Sequence, residues 1–396
     1  MDFWDFIDQN KHVDTNSLRL AIKKSHYDFD IDSAIVQIEC RKKYDSKLNH
    51  FLSYPRFLFP DVISAQQSSH QAVGKYHSSL ISNEHNLLDM TAGLGIDSFS
   101  FAEKNLEITA IELNPEKAET LNKNAKTLGL TNLKVISGDS INFLKETKDT
   151  FDIIFIDPSR RDIDDDRKRL YNLRDCGPDV ITYQDLLFQK TKKVLIKASP
   201  LLDVTQTLKD FKNIAVVRAV GVKGECKEIL IELISNYTRK TLLEAVNLDN
   251  EGEIIWKFSV DNPQSKTYDL ASVEELTPGA FILEPSAMIM KLAPWEELCS
   301  RFKAKKLGIS SNLFVSSEMP ETFPGRVTQF IKTLQKQDRK SLKELPATVV
   351  SKNHPLSPQD LRKVFRLKEG DQNFIYATRI GEKPIIFLTR PISDLR

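Results

Sequence analysis

Three acidic strand ends and two glycines carry the first chemical signal in this chain. Asp89 closes the short apolar stretch 86–88, and Gly93 and Gly95 follow it in the pattern Asp-x-x-x-Gly-x-Gly. That pattern reads as strand, tight turn and helix start. Glycine at both positions lets the backbone come close to a ligand, where a side chain would block the approach. Glu112 ends the next apolar stretch, 108–111, and lies 19 residues after Gly93. A carboxylate at the tip of a second strand is placed to accept hydrogen bonds from a ribose diol, so the pair points to a nucleoside-containing ligand. The third glycine of the dinucleotide fingerprint is absent, and with no pyrophosphate to cradle fewer glycines suffice. Ser137-Gly138-Asp139-Ser140 follows a third apolar stretch and Asp157-Pro158-Ser159-Arg160 a fourth. Asp157, fixed by the proline after it, can serve as acceptor or general base. Arg160 can stack its guanidinium on a base or hold a phosphate. The plainer alternatives are that Asp139 only shapes a turn after a glycine. Arg160 and Arg161 would then only pair with Asp162, Asp164, Asp165 and Asp166 in a solvated loop.

These four segments resemble, in order and spacing, the motifs of class I S-adenosylmethionine-dependent methyltransferases. Residues 89–95 match the first motif and Ala110-Ile111-Glu112-Leu113-Asn114 the ribose-binding strand end. Residues 137–140 match the adenine-side loop, and Phe155-Ile156-Asp157-Pro158-Ser159-Arg160 the fourth motif, where substrate meets the methyl group. The resemblance implies S-adenosyl-L-methionine as cofactor, bound by Asp89, Thr91, Ala92, Gly93, Gly95, Asp97, Glu112, Leu113, Asp139 and Ser140. It implies a catalytic segment of Asp157, Pro158, Ser159 and Arg160. Amino-directed base methyltransferases carry Asp/Asn/Ser-Pro-Pro-aromatic in the fourth motif. Here Ser159 stands for the second proline and Arg160 for the aromatic, a departure from the amine-directed pattern. Gln67-Ser68-Ser69 is similar to the leading helix of RNA-cap guanine-N2 methyltransferases, which in that family borders the cofactor pocket.

The elements that must hold these residues alternate regularly. Strands are expected over 86–90, 107–112, 133–137, 151–156, 193–197, 214–220 and 228–234, with a clean helix over 115–128 that has proline in its first turn and Gly129 past its end. Only seven residues join the last two strands, too few for a helix, so those strands pair antiparallel. The expected fold class is α/β, a Rossmann-like seven-stranded sheet with a terminal antiparallel hairpin and the ligand at its carboxyl edge. Helices are expected over 18–22, 31–41 and 64–77. His70 and His77 read as partly exposed surface residues, because two histidines without a third ligand are poor metal evidence. Lys197 ends the fifth strand, either touching substrate phosphate or simply exposed.

At 396 residues several domains are expected. They are an N-terminal helical region (1–80), the methyltransferase domain (81–236), a connector (237–278) and two small α+β domains (279–324 and 325–396). In the tail, helices are expected over 287–291, 295–302, 327–334 and 357–365, and a hairpin over 373–379 and 384–389. This tail resembles a ferredoxin-like module followed by a THUMP-like domain, which in bacterial proteins of this architecture implies a tRNA- or rRNA-modifying enzyme. Charge agrees. Residues 301–396 carry 19 Lys+Arg against 9 Asp+Glu, whereas the whole chain carries only +1. A basic tail on an acidic body suits a polyanionic partner, with Arg301, Lys303, Lys305, Lys306, Arg362, Lys363 and Arg366 as candidate contacts. Four scattered cysteines, Cys40, Cys176, Cys226 and Cys299, form no Cys-x-x-Cys and fit a reducing compartment. No metal is indicated. The acidic N-terminus lacks a signal-peptide shape, and no apolar run reaches ~18 residues, so a cytoplasmic protein is expected. The function expected is methylation of RNA, at a base of tRNA or rRNA. The alternatives are methylation of a small molecule or protein, or a non-catalytic RNA-binding protein on the same fold.

Overall fold

In the computed structural model, which describes residues 1–21, 27–81, 86–104, 106–160, 172–261 and 267–392, the strands ending at Asp89, Glu112 and Ile156 lie side by side. Six helices precede them: α1 (Phe3–Asn10), α2 (Thr15–Ala21), α3 (Ile31–Lys43), α4 (Asp45–Leu52), α5 (Val62–Gln67) and α6 (Gln71–Ser79). Asp2, Asp30 and Asp61 cap α1, α3 and α5 by accepting from backbone N–H groups of the first turn. Phe6, Ile7, Leu18, Ile35 and Ile38 make a small core of their own. Phe51 and Phe57 instead turn toward Phe99 and join the core beneath the sheet. The single helix expected over 64–77 is two, α5 and α6. The break lies at 68–70, where the His70 ring accepts from the Ala72 N–H at 3.2 Å and caps α6.

The sheet then builds from β1 (Asn86–Asp89), α7 (Ile96–Ala102), β2 (Glu107–Glu112), α8 (Pro115–Thr127), β3 (Leu133–Ser137), α9 (Ser140–Glu146), β4 (Ile153–Ile156), a short ribbon of β5 (Ser159–Arg160) and β6 (Cys176–Gly177), α10 (Gln184–Lys190), β7 (Lys193–Ala198), α11 (Val204–Asp210), β8 (Ile214–Val222), β9 (Glu225–Ile234), β10 (Leu242–Leu248) and β11 (Ile254–Asp261). The strand order is β11-β10-β8-β9-β7-β4-β1-β2-β3. β1 runs parallel to both β2 and β4, and β9 runs antiparallel to both β7 and β8. All four residues of β4 are buried, as a strand covered on both faces requires. The seven expected strands are therefore present with their antiparallel hairpin. Two more, from the stretch read as a connector, widen the sheet to nine.

The chain divides into two compact units, Met1–Thr241 with Val246–Ile255, and Leu242–Ala245 with Trp256–Arg396. The second contains β12 (Phe281–Pro285), α12 (Ala287–Leu292), α13 (Trp295–Arg301), β13 (Ala304–Lys306), β14 (Phe314–Ser316), β15 (Gly325–Thr333), β16 (Thr348–Ser351), α14 (Pro358–Phe365), β17 (Phe374–Ile380) and β18 (Lys383–Pro391). Its seven strands form one sheet, ordered β13-β14-β12-β15-β18-β17-β16. Phe374 and Tyr376 pack into one core and their neighbours Ile375 and Ala377 into the other, so the sheet is covered on both faces. Residues 327–334, expected as a helix, are mostly strand β15. The register shifts between Phe330 and Lys332, so that Phe330 packs on one face and Ile331 and Leu334 against the other. That bulge breaks the two-residue alternation and leaves apolar residues at helix-like spacing.

The turn after β1 separates two kinds of glycine. Gly95 has φ +96° and begins α7; a Cβ there would run into the Leu121 side chain and lie 2.7 Å from Phe99. It therefore serves packing between α7 and α8, and it also borders the cavity at this edge of the sheet. Gly93, at φ +56°, has open space where its Cβ would project. Gly95→Ala should destabilise the protein by about 2–4 kcal/mol through overpacking and left-handed backbone strain. Gly93→Ala should cost only about 1 kcal/mol, the strain alone. Urea denaturation of both variants checks this, and equal losses would contradict it.

Candidate active site

The carboxyl ends of β1, β2, β3, β4 and β7 surround a cavity of about 650 Å³. Asp89 lies beneath it, 1% exposed, its oxygens accepting from the Thr91 N–H at 3.0 Å and the Ser98 hydroxyl at 2.5 Å. Burial pushes this carboxyl up to about 7, against the two donors. Thr91 in turn accepts from the Asp157 N–H at 2.7 Å, which joins the first turn to the tip of β4. At the tip of β2, Glu112 accepts from the Gly93 N–H at 2.9 Å and the Asn114 N–H at 2.8 Å. The carboxylate that the sequence assigned to a ribose is thus clamped by backbone on both sides, beside the cavity. Leu113, 70% exposed, stands next to it on the cavity wall. Across from these, Asp139 caps α9 by accepting from Asn142 N–H at 2.8 Å, and lines the cavity with Ser140. Asp139 thus shapes the turn and also borders the cavity.

Asp157 and Ser159 also line the cavity; Pro158 is buried. Ser159 and Arg160 form β5, paired antiparallel with Gly177 and Cys176. The side chain of Arg160 and all of Arg161, Asp162, Asp164, Asp165 and Asp166 lie outside the described residues. The β5–β6 ribbon returns Gly177, Pro178, Asp179 and Tyr183 to the cavity, none of them singled out in the sequence. From the other side come Ser64, Gln67, Ser68 and Ser69. The segment similar to a cofactor-bordering helix does border this cavity.

Two residues are placed differently from expectation. His77 is 0% exposed, not at the surface, with Nδ1 2.9 Å from Asp97 Oδ1 and Nε2 2.5 Å from Glu228 Oε1. It faces inward because α6 packs tightly on α7; a Cβ on Gly74 would come within 2.7 Å of the Ser100 hydroxyl. Lys197 is 9% exposed and donates to Asp157 Oδ2 and to Ser69 Oγ, the latter at 2.8 Å, rather than extending into solvent. Asp97, expected to bind the cofactor, has both oxygens engaged, with His77 and with the Ser69 hydroxyl, and Lys197 Nζ lies 3.8 Å away. Burial alone would raise the Asp97 carboxyl, but Lys197 and His77 outweigh it and hold it at about 2. Burial likewise opposes protonation of His77, yet Glu228 and Asp97 raise it to about 9. Among the described residues, no group of three His, Cys, Asp or Glu is disposed to hold a metal, and no helix is long and apolar enough to cross a membrane.

In the second unit taken by itself, several basic candidates are already matched. Arg301 pairs with Glu297 at 2.7 Å, Lys303 with Glu318 at 2.8 Å and Lys305 with Glu275 at 2.5 Å. Lys306, expected to face a polyanion, is 1% exposed, donates to the Ile309 carbonyl and lies beside the Trp295 and Tyr268 rings.

A histidine raised from its ordinary 6.5 to about 9 stabilises the fold fully below pH 6.5, and that contribution is lost as the pH climbs through about 9. Thermal stability should therefore fall between pH 6.5 and 9.5, and His77→Gln should flatten that fall. The same slope in wild type and variant would assign it to another group.

Comparison with known proteins agrees with this geometry. Residues 81–247 match a family described as a methyltransferase domain, 281–324 a ferredoxin-like domain and 326–391 a THUMP domain-like family. Over 89 residues the chain is 34% identical to an uncharacterized RNA methyltransferase of Mycoplasma mobile, covering 22% of this chain and 24% of that protein. It thus spans about a quarter of the length of the curated relative it matches. A solved structure from Porphyromonas gingivalis W83, of a protein described there as a candidate methyltransferase, is 24% identical. It covers 99% of this chain and 98% of its own with a TM-score of 0.82, which establishes the shared fold. The chain thus joins a methyltransferase domain to a ferredoxin-like domain and a THUMP-like domain.

Proposed function

We propose that this protein transfers the methyl group of S-adenosyl-L-methionine to RNA, at a base of tRNA or rRNA. The observation that carries the reading is the cavity flanked by two differently held carboxylates, Glu112 clamped by backbone N–H groups at the end of β2 and Asp157 just past β4, on the far side of β1. The residues present fit the cofactor. Glu112 keeps acceptor capacity for a ribose diol, the open space at Gly93 admits a ligand, and Asp139, Ser140 and Leu113 line the part of the cavity suited to a nucleobase. When bound, S-adenosylmethionine supplies an electrophilic methyl group on a sulfonium. The protein's own task is to hold the acceptor in line and remove its proton.

Asp157 has the position for that second task. Its side chain is about one-third exposed toward the cavity, and its backbone is tied to Thr91. Among the described residues, the oxygen not held by Lys197 has no hydrogen-bond partner. Pro158 and Ser159 shape the segment that follows, and Arg160 would orient the acceptor. An RNA acceptor is supported by the THUMP-like match, by the word RNA in the description of the Mycoplasma relative and by the +10 charge of residues 301–396. A base acceptor must enter such a cavity unstacked, from a single-stranded or flipped position. Residues 81–236 would carry the chemistry and 279–396 the grip on RNA, with 1–80 completing the cavity wall and 237–278 joining the two.

Glu112→Ala should weaken S-adenosylmethionine binding by roughly tenfold or more, since charge-assisted hydrogen bonds to the ribose contribute ~1.5–3 kcal/mol each. Equal affinities by titration calorimetry would remove the ribose assignment. Asp157→Ala should bind the cofactor normally yet lose about 10²-fold or more in methyl transfer. The assay uses bulk RNA from cells lacking the gene, and nucleoside profiles of RNA with and without the protein identify the product. Full activity of that variant on this RNA would overturn the assignment of Asp157.

A further inference from the structure

Lys197 and Ser69 play no part in the function proposed above, yet they hold its central carboxylate. The Lys197 stem rises from the penultimate residue of β7, and its ammonium meets Asp157 Oδ2 and Ser69 Oγ. Ser69 donates its own hydrogen to Asp97 Oδ2, so its hydroxyl is oriented and its lone pairs are turned to Lys197. Asp97 Oδ1 engages His77, and the far nitrogen of His77 engages Glu228. Each member takes up a donor or acceptor of the next. A lysine at a strand end normally samples many rotamers on its four-carbon stem. This one is confined by partners from the segment before α6, from α7 and from β4.

We propose that Lys197 is the positioning residue of the site. Held by Ser69 and the Asp97–His77–Glu228 chain, it pins one oxygen of Asp157 and so presents the other to the methyl acceptor. The inference rests on Asp157 being the group that receives the acceptor's proton. Without the pin, Asp157 is free to rotate away from the cavity and loses the aligned geometry on which in-line transfer depends. Burial raises the Asp157 carboxyl above its ordinary range and the ammonium works against that rise, in a space that Asp157 shares with Asp97 from α7, Glu228 from β9 and Asp89 from β1, with His77 of α6 behind them. Three neighbouring carboxyl groups oppose ionisation of Asp157, and Lys197 is the cation in contact with it.

Lys197→Met keeps the length of the side chain and removes its charge; Ser69→Ala removes only the hydroxyl that steadies it; Lys197→Arg restores the charge. Two readouts apply to the full-length protein. One is titration of the Asp157 carboxyl by ¹³C NMR, with its resonance identified by its loss in Asp157→Asn. The other is the initial rate of labelled methyl transfer from S-adenosylmethionine to bulk RNA from cells lacking the gene. Lys197→Met should raise the Asp157 midpoint by roughly one pH unit or more. It should lower kcat by about 10²-fold while the affinity for S-adenosylmethionine stays within about twofold. Ser69→Ala should shift both in the same direction by less, and Lys197→Arg should restore the midpoint more fully than the rate, because a planar fork cannot occupy the place of a point charge. A lysine with a merely structural role would leave the Asp157 midpoint where it is, and that result in Lys197→Met overturns the proposal. If Lys197→Met does not fold, an unchanged midpoint in Ser69→Ala overturns it instead. The titration needs no acceptor. Absence of methyl transfer by the wild-type protein counts against RNA as substrate, while the midpoint still decides the role of Lys197.

Discussion

Five ionisable side chains are linked beneath the carboxyl edge of the first sheet, Asp97, Asp157 and Glu228 against His77 and Lys197, with Asp157 the most exposed of the five. A lone charge buried there would cost several kcal/mol, which is why the acidic and basic side chains of this cluster contact one another. Deleting one member of a buried pair typically costs about 3–5 kcal/mol, since the survivor is left uncompensated. The cluster therefore acts as a fastening. It draws α6 and the Ser69 segment against α7, β4, β7 and β9, and so makes the N-terminal helices part of the cavity wall. The burial of Phe51 and Phe57 with Phe99 acts in the same direction through apolar contact.

Above that fastening, the reactive edge is fixed by backbone. Thr91 receives the Asp157 N–H, Glu112 receives the N–H groups of Gly93 and Asn114, and the Met90 N–H reaches the Phe155 carbonyl at 3.0 Å. Three strand ends are thereby locked to one another before any ligand arrives. Main-chain donors lose little entropy on forming these bonds, because the parallel strands have already set their direction. This is a suitable foundation for a reaction whose rate depends on alignment more than on strong acid or base.

The second unit follows a different physical logic. One sheet carries an apolar core on each face, and the matches to the ferredoxin-like and THUMP-like families meet at the start of β15, inside that sheet. Arg301, Lys303 and Lys305 are each paired with a carboxylate, which leaves net charge unaltered but screens the individual side chain. The attraction of this unit for a polyanion would then reside in its summed field more than in any one of these contacts.

The sequence by itself determined the strand and helix alternation from Asn86 to Ile234, the antiparallel hairpin and the acidic strand ends. These are local matters: apolar runs, a proline at a helix start, a linker too short for a helix. It also pointed to Glu112 and Asp157, because a carboxylate just past an apolar strand must sit at the sheet's edge. It misread β15, where a bulge gave a strand the spacing of a helix, and it did not show that Gly95 also makes room for Leu121 and Phe99. The tertiary structure alone decided the buried charge cluster. His77 and Glu228 are 151 residues apart, Lys197 and Ser69 128, and neither pair has a local pattern that announces it. Two histidines on a short helical stretch without a third ligand read as surface, and a lysine at a strand end reads as touching substrate phosphate or facing solvent. Only when α6 closes over the sheet does water leave the space between them, and only then does pairing become the condition for burying those charges at all.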